Sequence, residues 1–367
     1  MVKKVVKWTV YATIPVALFL QFTHGNMVAR FIFSCLAVLP VAAWIGHGTE
    51  HLAHRLGPTY GALLNATFGN FAEMVIAIFA IRAGLVDVVR ASLAGAIVAN
   101  LLVVAGFAML MGGWKRQTQK FNALSGEVQG GQLILAVGAL LVPALFFRAA
   151  NEAHHPELIH QVSIGTSIIL LICYAAGLYF SFKTHKERLN AIGSTHGEIE
   201  ALELWSVKRA LGVLFGASVL MAVVAEGLIH TAEQAGRAWG FNEVFLGFVV
   251  LAIVGNAAEH STAVVLAMRD QMDTALNIAM QSSVQIALFV TPVMVFLSYP
   301  LGHPLDLIFH GFELLAVALA VAVFSYLIIN GESNWFEGVQ LLAMYALIAV
   351  AIYYLPTAVA AVKPAGH

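Results

Sequence analysis

Charged residues are scarce in this chain. Only 11% of its 367 residues are Asp, Glu, Lys or Arg, whereas a soluble domain carries about a quarter. The net charge of −1 provides no basic surface and argues against a nucleic-acid partner. There are only two cysteines, Cys35 and Cys173, and both lie inside apolar runs. The sequence therefore indicates neither a disulfide framework nor a cysteine metal cluster.

Most of the chain is apolar. Hydrophobic residues make up 60% of the chain, and the mean hydropathy is +0.84. They form long runs, such as 133–147, 162–182 and 314–329. A membrane-spanning helix needs roughly 20 mostly apolar residues, and lipid offers no partner to unpaired backbone groups. The pattern predicts an all-α integral membrane protein whose first partner is the lipid bilayer.

We predict about eleven membrane-spanning helices joined by short polar links, with no soluble domain. The first follows Lys3, Lys4 and Lys7, and no small-x-small cleavage site comes after it, so we predict a retained helix rather than a signal peptide. The predicted helices cover residues 6–23, 28–47, 60–81, 91–112, 130–147, 161–182, 207–230, 244–267, 275–298, 305–329 and 335–359.

The distribution of Lys and Arg predicts the orientation. With the N-terminus in the cytoplasm, 13 of the 19 basic residues fall on the cytoplasmic side and 6 on the outer side, as the positive-inside rule requires. The longest link, 183–206, would then be cytoplasmic. It is acidic, with Glu198, Glu200 and Glu203, and we read it as a solvated helix, with calcium sensing as the weaker alternative.

An internal repeat is the most informative feature. Gly69-Asn70-Phe71-Ala72-Glu73 recurs 186 residues later as Gly255-Asn256-Ala257-Ala258-Glu259. Five predicted helices separate the two copies, so the copies cross the membrane in opposite directions. This predicts an inverted repeat, as in many secondary transporters: an N-terminal extra helix (1–27), a first half (28–182, helices 2–6), the cytoplasmic link (183–206) and a second half (207–367, helices 7–11).

Glu73 and Glu259 are the leading functional candidates. Each lies near the middle of an apolar helix, where an ionisable residue is costly and by default functional. A protonated packing residue would explain one such glutamate, but two in equivalent positions favour function. Gly and Asn before each glutamate are weak helix formers, so we expect a loosened helix there, with Asn70 and Asn256 as further oxygen ligands.

Other polar residues are weaker candidates. Glu50 and Glu226 lie in the equivalent helices 2 and 7; Glu50 is as easily an interfacial carboxylate, whereas the deeper Glu226 favours function. Polar residues four apart share one helical face, although such stripes often only join helices by hydrogen bonds. Asp306, His310 and Glu313 are predicted to form an interfacial polar face near the outer end of helix 10. The two stripes of residues four apart are Ser92-Ala96-Asn100 in helix 4 and Asn277-Gln281-Gln285 in helix 9, with Ser282 and Ser283 beside the second.

The candidate ligands are all oxygen atoms, which suit a hard cation, calcium above all, rather than copper or zinc. Two carboxylates balance one divalent cation or carry two protons, and a carboxylate in a low dielectric holds its proton more tightly. The residues thus predict an antiporter with no cofactor. A competing pattern, His47-Gly48-Thr49-Glu50-His51, reads H-x-x-E-H and would suit a membrane zinc protease.

Together these motifs resemble the calcium/proton exchanger family, part of the calcium/cation antiporter superfamily. The resemblance runs from about Gly46 to Tyr354 and includes residues 69–100, 255–287 and 331–338. It implies Glu73 and Glu259 as shared cation and proton carriers, with Glu50 and Glu226 on a path gated by helices 2 and 7. It also implies Asn70, Asn256, Ser282 and Gln285 as lining residues.

The sequence departs from that family's pattern at Phe71, Ala96, Ala99 and Gln281, which bears on ion preference. We predict exchange of cytosolic Ca²⁺ for H⁺ by alternating access, with Na⁺ or K⁺ exchange for H⁺ as the alternative on the same fold. The expected location is a plasma membrane, specifically a bacterial inner membrane, because the long N-terminal tail of plant vacuolar members is missing. A homo-oligomer is compatible with the sequence.

Overall fold

The structure, a computed structural model, describes residues 2–57, 61, 64, 65, 67–152, 158–184 and 204–356. Residues 185–203 of the predicted acidic link, which include Glu198, Glu200 and Glu203, lie outside the described residues, as does part of the predicted third helix. The helices that we number here are α1 (Val2–Phe22), α2 (Met27–Leu56), α3 (Phe71–Arg82), α4 (Val86–Gly113), α5 (Ala123–Glu152), α6 (Leu158–Tyr179), α7 (Val207–Ala238), α8 (Glu243–Met268), α9 (Met272–Ser298), α10 (Gly311–Leu327) and α11 (Trp335–Tyr353).

The chain is an all-α membrane protein, as predicted. Eight helices of the described part, α2, α4 to α9 and α11, are long and apolar enough to cross a membrane. Two shorter apolar helices, Val10–Phe22 and Gly311–Leu327, accompany them. The count of eleven crossings stays a prediction, because α3 is described over only 12 residues. One short antiparallel pair, β1 (Gln119–Lys120) with β2 (Glu332–Ser333), joins two links.

Several helix boundaries differ from the prediction: α5 begins seven residues earlier, at Ala123, and α7 ends eight residues later, at Ala238. The end of α2 and the start of α10 also differ. Helix α2 continues through His47 and Glu50 to Leu56 and ends only at Gly57, whose φ of 85° lies in the left-handed region. Polar residues near its end suggested an earlier stop, but they do not break a helix. Helix α10 begins at Gly311 rather than near residue 305, because Gly302 and Pro304 interrupt the chain before it.

The segment before α10 is not a helix but packs inward. Leu305, Leu307 and Phe309 are buried there, and the Leu307 amide donates to Ser163 Oγ of α6 at 3.1 Å. Glu313, predicted on an interfacial polar face, is fully buried at the start of α10. Its Oε2 accepts from the His310 amide at 2.9 Å, which satisfies a backbone donor at the helix start. The interfacial prediction is therefore wrong for Glu313.

Helices α2 and α7 share the largest helix–helix interface among the described elements. Gly48 permits this approach: a Cβ atom there would lie 3.3 Å from the Leu214 backbone nitrogen. At one end, Arg55 of α2 donates to the carbonyl oxygens of Leu204 and Trp205, just before α7. The end of the central link is thereby tied to both helices.

Helices α4 and α8 cross with their backbones in contact. A Cβ atom on Gly95 would lie 2.5 Å from Phe248 Cα and would collide with its carbonyl oxygen. On the other side of the crossing, a Cβ atom on Gly247 would lie 2.8 Å from Ala91 Cβ. Only glycine fits at such an approach. Turns of π-helix interrupt α4 at Ala99–Val104, α8 at Leu246–Leu251 and α9 at Ile286–Val290, and such turns are frequent at functional sites.

Candidate functional site

The two repeated motifs meet at the centre of the bundle, where α3 and α8 come together. A Cβ atom on Gly255 would lie 3.1 Å from Glu73 Cγ, and one on Gly69 would lie 3.6 Å from Glu259 Oε1. Each glutamate therefore packs against the glycine of the other motif. The absence of a side chain at both glycines makes room for two carboxyl groups at one crossing. The structure thus brings together Glu73 and Glu259, as the sequence predicted.

A continuous set of hydrogen bonds surrounds this crossing. Asn70 Nδ2 donates to Gln285 Oε1 at 2.6 Å, and Ser282 Oγ donates to Asn70 Oδ1 at 3.4 Å. These bonds join the start of α3 to α9. All three side chains are buried. Asn70, Ser282 and Gln285, three of the predicted lining residues, therefore form one cluster beside Glu73.

Two members of this cluster were not among the predicted site residues. Asn100, in the π-helical turn of α4, donates through Nδ2 to Ser282 Oγ at 2.9 Å. Its Oδ1 lies 3.2 Å from His260 Nε2, on the residue after Glu259. The signals were present in the sequence, since Asn100 belonged to a polar stripe and His260 follows the second motif. Spacing alone did not show that Asn100 turns toward Ser282 and His260 toward Asn100.

Asn256 behaves differently from its counterpart Asn70. Its Nδ2 donates to the Ala252 carbonyl of its own helix at 3.0 Å, and it does not join the hydrogen-bonded cluster. The expected loosening of the helix is found only in the first motif, where Gly69 and Asn70 form a turn before α3. It is wrong for the second, where α8 runs unbroken through Gly255 and Asn256, because the Asn256 amide bonds within the helix and Gly255 accommodates Glu73.

Three oxygen atoms at this crossing are buried without a hydrogen-bond partner in the described part of the chain: Glu73 Oε2, Glu259 Oε2 and Asn256 Oδ1. Leaving buried polar atoms unpaired costs free energy, and either water or a bound cation at this crossing would satisfy them. Carboxylate and amide oxygens suit a hard cation. Among the described residues no group of three or more His, Cys, Asp or Glu is placed so that it could hold a metal ion, so a cation at this crossing would need further oxygen ligands besides the two carboxylates.

The second predicted pair is not part of this cluster. Glu226 is exposed on α7, and Glu50 on α2 has 32% of its side chain exposed, with His47 Nδ1 3.9 Å away. Neither forms a hydrogen bond to the central residues in the described structure. Their predicted place on a path to the site stays a prediction.

The competing H-x-x-E-H pattern does not assemble a metal site in the described residues. His47 is exposed, whereas His51 is buried and its ring stacks on Trp205 at 4.3 Å between centroids. His47 therefore faces the surface, whereas the His51 ring packs on Trp205, so the two rings do not converge on one metal position.

Comparison with known proteins identifies the family. The model of the sodium/calcium exchanger protein family matches residues 26–183 and 209–354. The chain belongs to this family. A Ca(2+)/H(+) antiporter from Aphanothece halophytica is 38% identical over 357 residues, which cover 94% of this chain and 95% of that relative. The Ca(2+)/H(+) antiporter ChaA of Bacillus subtilis is 38% identical, with 94% and 98% covered.

Solved structures agree with this assignment. The structure of native YfkE superposes with a TM-score of 0.81 at 36% identity, covering 94% of this chain and 98% of that one. The predicted resemblance is thus confirmed at the level of the family, and so is the multi-pass membrane fold. Members of this exchanger family that match the chain are transporters, so the chain is a transporter and the zinc-protease alternative is wrong.

Proposed function

We propose that this protein exchanges cytosolic Ca²⁺ for H⁺ across a membrane. The observation that carries the proposal is the crossing at which Glu73 and Glu259 pack against each other's glycine. Two carboxylates there offer two negative charges, enough to neutralise one Ca²⁺ or to accept two protons. Because both cargoes need the same carboxylates, one must leave before the other binds, which is the requirement for exchange. The relatives named Ca(2+)/H(+) antiporter support calcium as the cation.

The cation would bind to Glu73, Glu259 and Asn256 through their unpartnered oxygen atoms. The hydrogen bonds that join Asn70 to Ser282 and Gln285 would hold α3 and α9 in place beside the carboxylates. Waters or backbone carbonyls would complete the six to eight oxygens that calcium prefers. This site requires no cofactor, because the cation is cargo. The site holds either Ca²⁺ or protons, and not both together.

Access to the site would alternate by movement of α2 and α7 against the rest of the bundle. Their extensive mutual interface supports a joint movement, and Glu50 and Glu226 would line the hydrophilic path. The equivalent π-helical turns at Ala99–Val104 and Ile286–Val290 support the inverted repeat of helices 2–6 and 7–11. We further propose a bacterial plasma-membrane location with the N-terminus in the cytoplasm, and the basic residues favour this orientation.

The deciding experiment is transport by purified protein in liposomes under an imposed proton gradient. We expect calcium uptake that dissipates the gradient, with little effect of Na⁺ or K⁺, because two carboxylates balance a divalent cation. The alternative is a monovalent cation/proton antiporter on the same fold. Proton exchange with Na⁺ or K⁺ alone would establish that alternative, and the absence of any cation-coupled proton flux would refute both.

Replacing Asn256 tests its assignment as a ligand. Asn256→Ala should raise the calcium concentration at half-maximal uptake about tenfold, equivalent to about 1.4 kcal/mol, because one oxygen ligand is lost. The matched control is Ser261→Ala, which also removes a side chain bonded to its own helix backbone. Equal calcium dependence in both variants would show that Asn256 does not bind the cation.

A further inference from the structure

A line of amide side chains runs along one face of α9 toward the central crossing. Asn277, Gln281 and Gln285 are four residues apart, so they share this face. Asn277 and Gln281 are half-buried, and Gln285 is buried. At 1.5 Å per residue the line covers about 12 Å, from near the start of α9 to the residues that surround Glu73.

The first part of this line faces α5. Ser125 Oγ donates to Asn277 Oδ1 at 2.7 Å, and Gln129 Nε2 donates to the same oxygen at 2.9 Å. We call the five residues of this arrangement the amide seam: Ser125, Gln129, Asn277, Gln281 and Gln285. Its far end meets the site directly, because Gln285 Oε1 accepts from Asn70.

The amide seam keeps unused hydrogen-bonding capacity. Asn277 Nδ2 and Gln129 Oε1 are buried without a partner in the described part of the chain. The side chain of Gln281, half-buried in mid-helix, forms no hydrogen bond to any other described residue. A helix pair held together only by hydrogen bonds would pair these groups with one another. Instead, the Asn277 Nδ2 donor, the Gln129 Oε1 acceptor and the whole Gln281 side-chain amide have no protein partner within the ranges that the structure describes. Ordered water satisfies such groups in protein interiors.

We propose that the amide seam holds a file of water molecules that carries protons between the cytoplasm and the two glutamates while the site faces the cytoplasm, apart from the cation path that α2 and α7 would gate. The proposal rests on the proposed function and on the predicted orientation, which puts the start of α9 on the cytoplasmic side. A proton released by a carboxyl group passes to the nearest water, and the water beside Asn277 releases one to the cytosol. The carboxylate that remains is free for Ca²⁺.

The chemistry of the amide seam explains why it would conduct protons alone. None of its five side chains carries a charge, so it cannot compensate a divalent cation. Calcium needs six to eight oxygen ligands around it, whereas the amide seam offers isolated amides along a single helix face. Protons need only neighbouring waters held in line, and alternating amide donors and acceptors provide that.

The experiment separates two fluxes of radiolabelled calcium in liposomes. One is uptake driven by a proton gradient, which needs proton movement. The other is exchange of labelled for unlabelled calcium at equal pH on both sides, which needs only the cation site and its gate. The test variants are Gln281→Met, which keeps the side-chain length and removes the amide, and Asn277→Leu. The matched control is Ile278→Leu, an apolar change at a neighbouring half-buried position of α9.

We expect Gln281→Met and Asn277→Leu to slow proton-driven uptake about tenfold and to leave calcium–calcium exchange within about twofold of the unmodified protein. Gln281→Asn, which restores an amide, should recover part of the proton-driven rate. Equal loss of both fluxes, or loss of neither, would overturn the proposal while the proposed function stands. If the unmodified protein moved no calcium in either assay, the proposed function would fail and this inference with it.

Discussion

Glu259→Gln should abolish proton-coupled calcium uptake, with a loss of at least about a hundredfold, or about 2.7 kcal/mol in the transition-state free energy. Glutamine has nearly the same shape, so its contact with Gly69 and the fold are retained. It cannot release a proton at any accessible pH, and it provides no charge to balance Ca²⁺. Glu73→Gln should have the same effect, because Glu73 faces Gly255 in the corresponding way.

The measurement is calcium uptake into liposomes at matched protein content. Glu233→Gln provides the control: Glu233 is also on a long helix, α7, but is paired with Arg237 at the surface, and its variant should transport normally. Normal transport by both Glu73→Gln and Glu259→Gln would disprove the two-glutamate mechanism. Loss in only one of them would assign the cargo to a single carboxylate.

Gly95→Val should prevent the protein from folding stably, with a loss of at least about 3 kcal/mol. Its side chain would enter the backbone of Phe248 at the crossing of α4 and α8, and backbone cannot move aside as a flexible side chain can. Because both helices carry site residues, Asn100 and Glu259, the crossing also sets the distance between the two halves of the site.

Thermal unfolding of the detergent-solubilised protein, followed by size-exclusion chromatography, measures this effect. Gly138→Ala is the matched control, since Gly138 also lies within a helix, α5, but a Cβ atom there would meet nothing within 4 Å. Alanine favours helix over glycine, so the control should be at least as stable as the unmodified protein. A folded Gly95→Val protein with an unchanged melting temperature would mean that α4 and α8 do not approach as closely as described.

The sequence could predict the membrane fold and the two central glutamates because both depend on one-dimensional signals. Apolar run length predicts helices, and an ionisable residue in mid-run predicts a candidate site. Glu73 and Glu259 each lie in mid-run, in equivalent copies of the repeat, and their role in transport stays a prediction. Their mutual packing against Gly69 and Gly255 was not predictable, because the repeat gives equivalence but not contact. Helix boundaries near polar residues, as in α2 at Glu50, were also misjudged, because polarity at a membrane edge does not end a helix.

The inclusion of Asn100 and His260 depends on how side chains turn in three dimensions. Asn100 lies in a π-helical turn of α4, and its partners Ser282 and His260 come from two other helices, so spacing along α4 alone does not identify them. Asn70 and Asn256 illustrate the same limit. The same Gly-Asn pair forms a turn in the first motif and continuous helix in the second, because the residues around each copy differ.

The packing of each glutamate against the glycine of the other motif constrains how this sequence can vary over time. If the two motifs were not in contact, a residue in one motif could be substituted without affecting the glutamate of the other. Here the smallest residue of one copy makes space for the acid of the other. A substitution at Gly69 would therefore act on Glu259 and one at Gly255 on Glu73, so the two motifs depend on each other although 186 residues separate them.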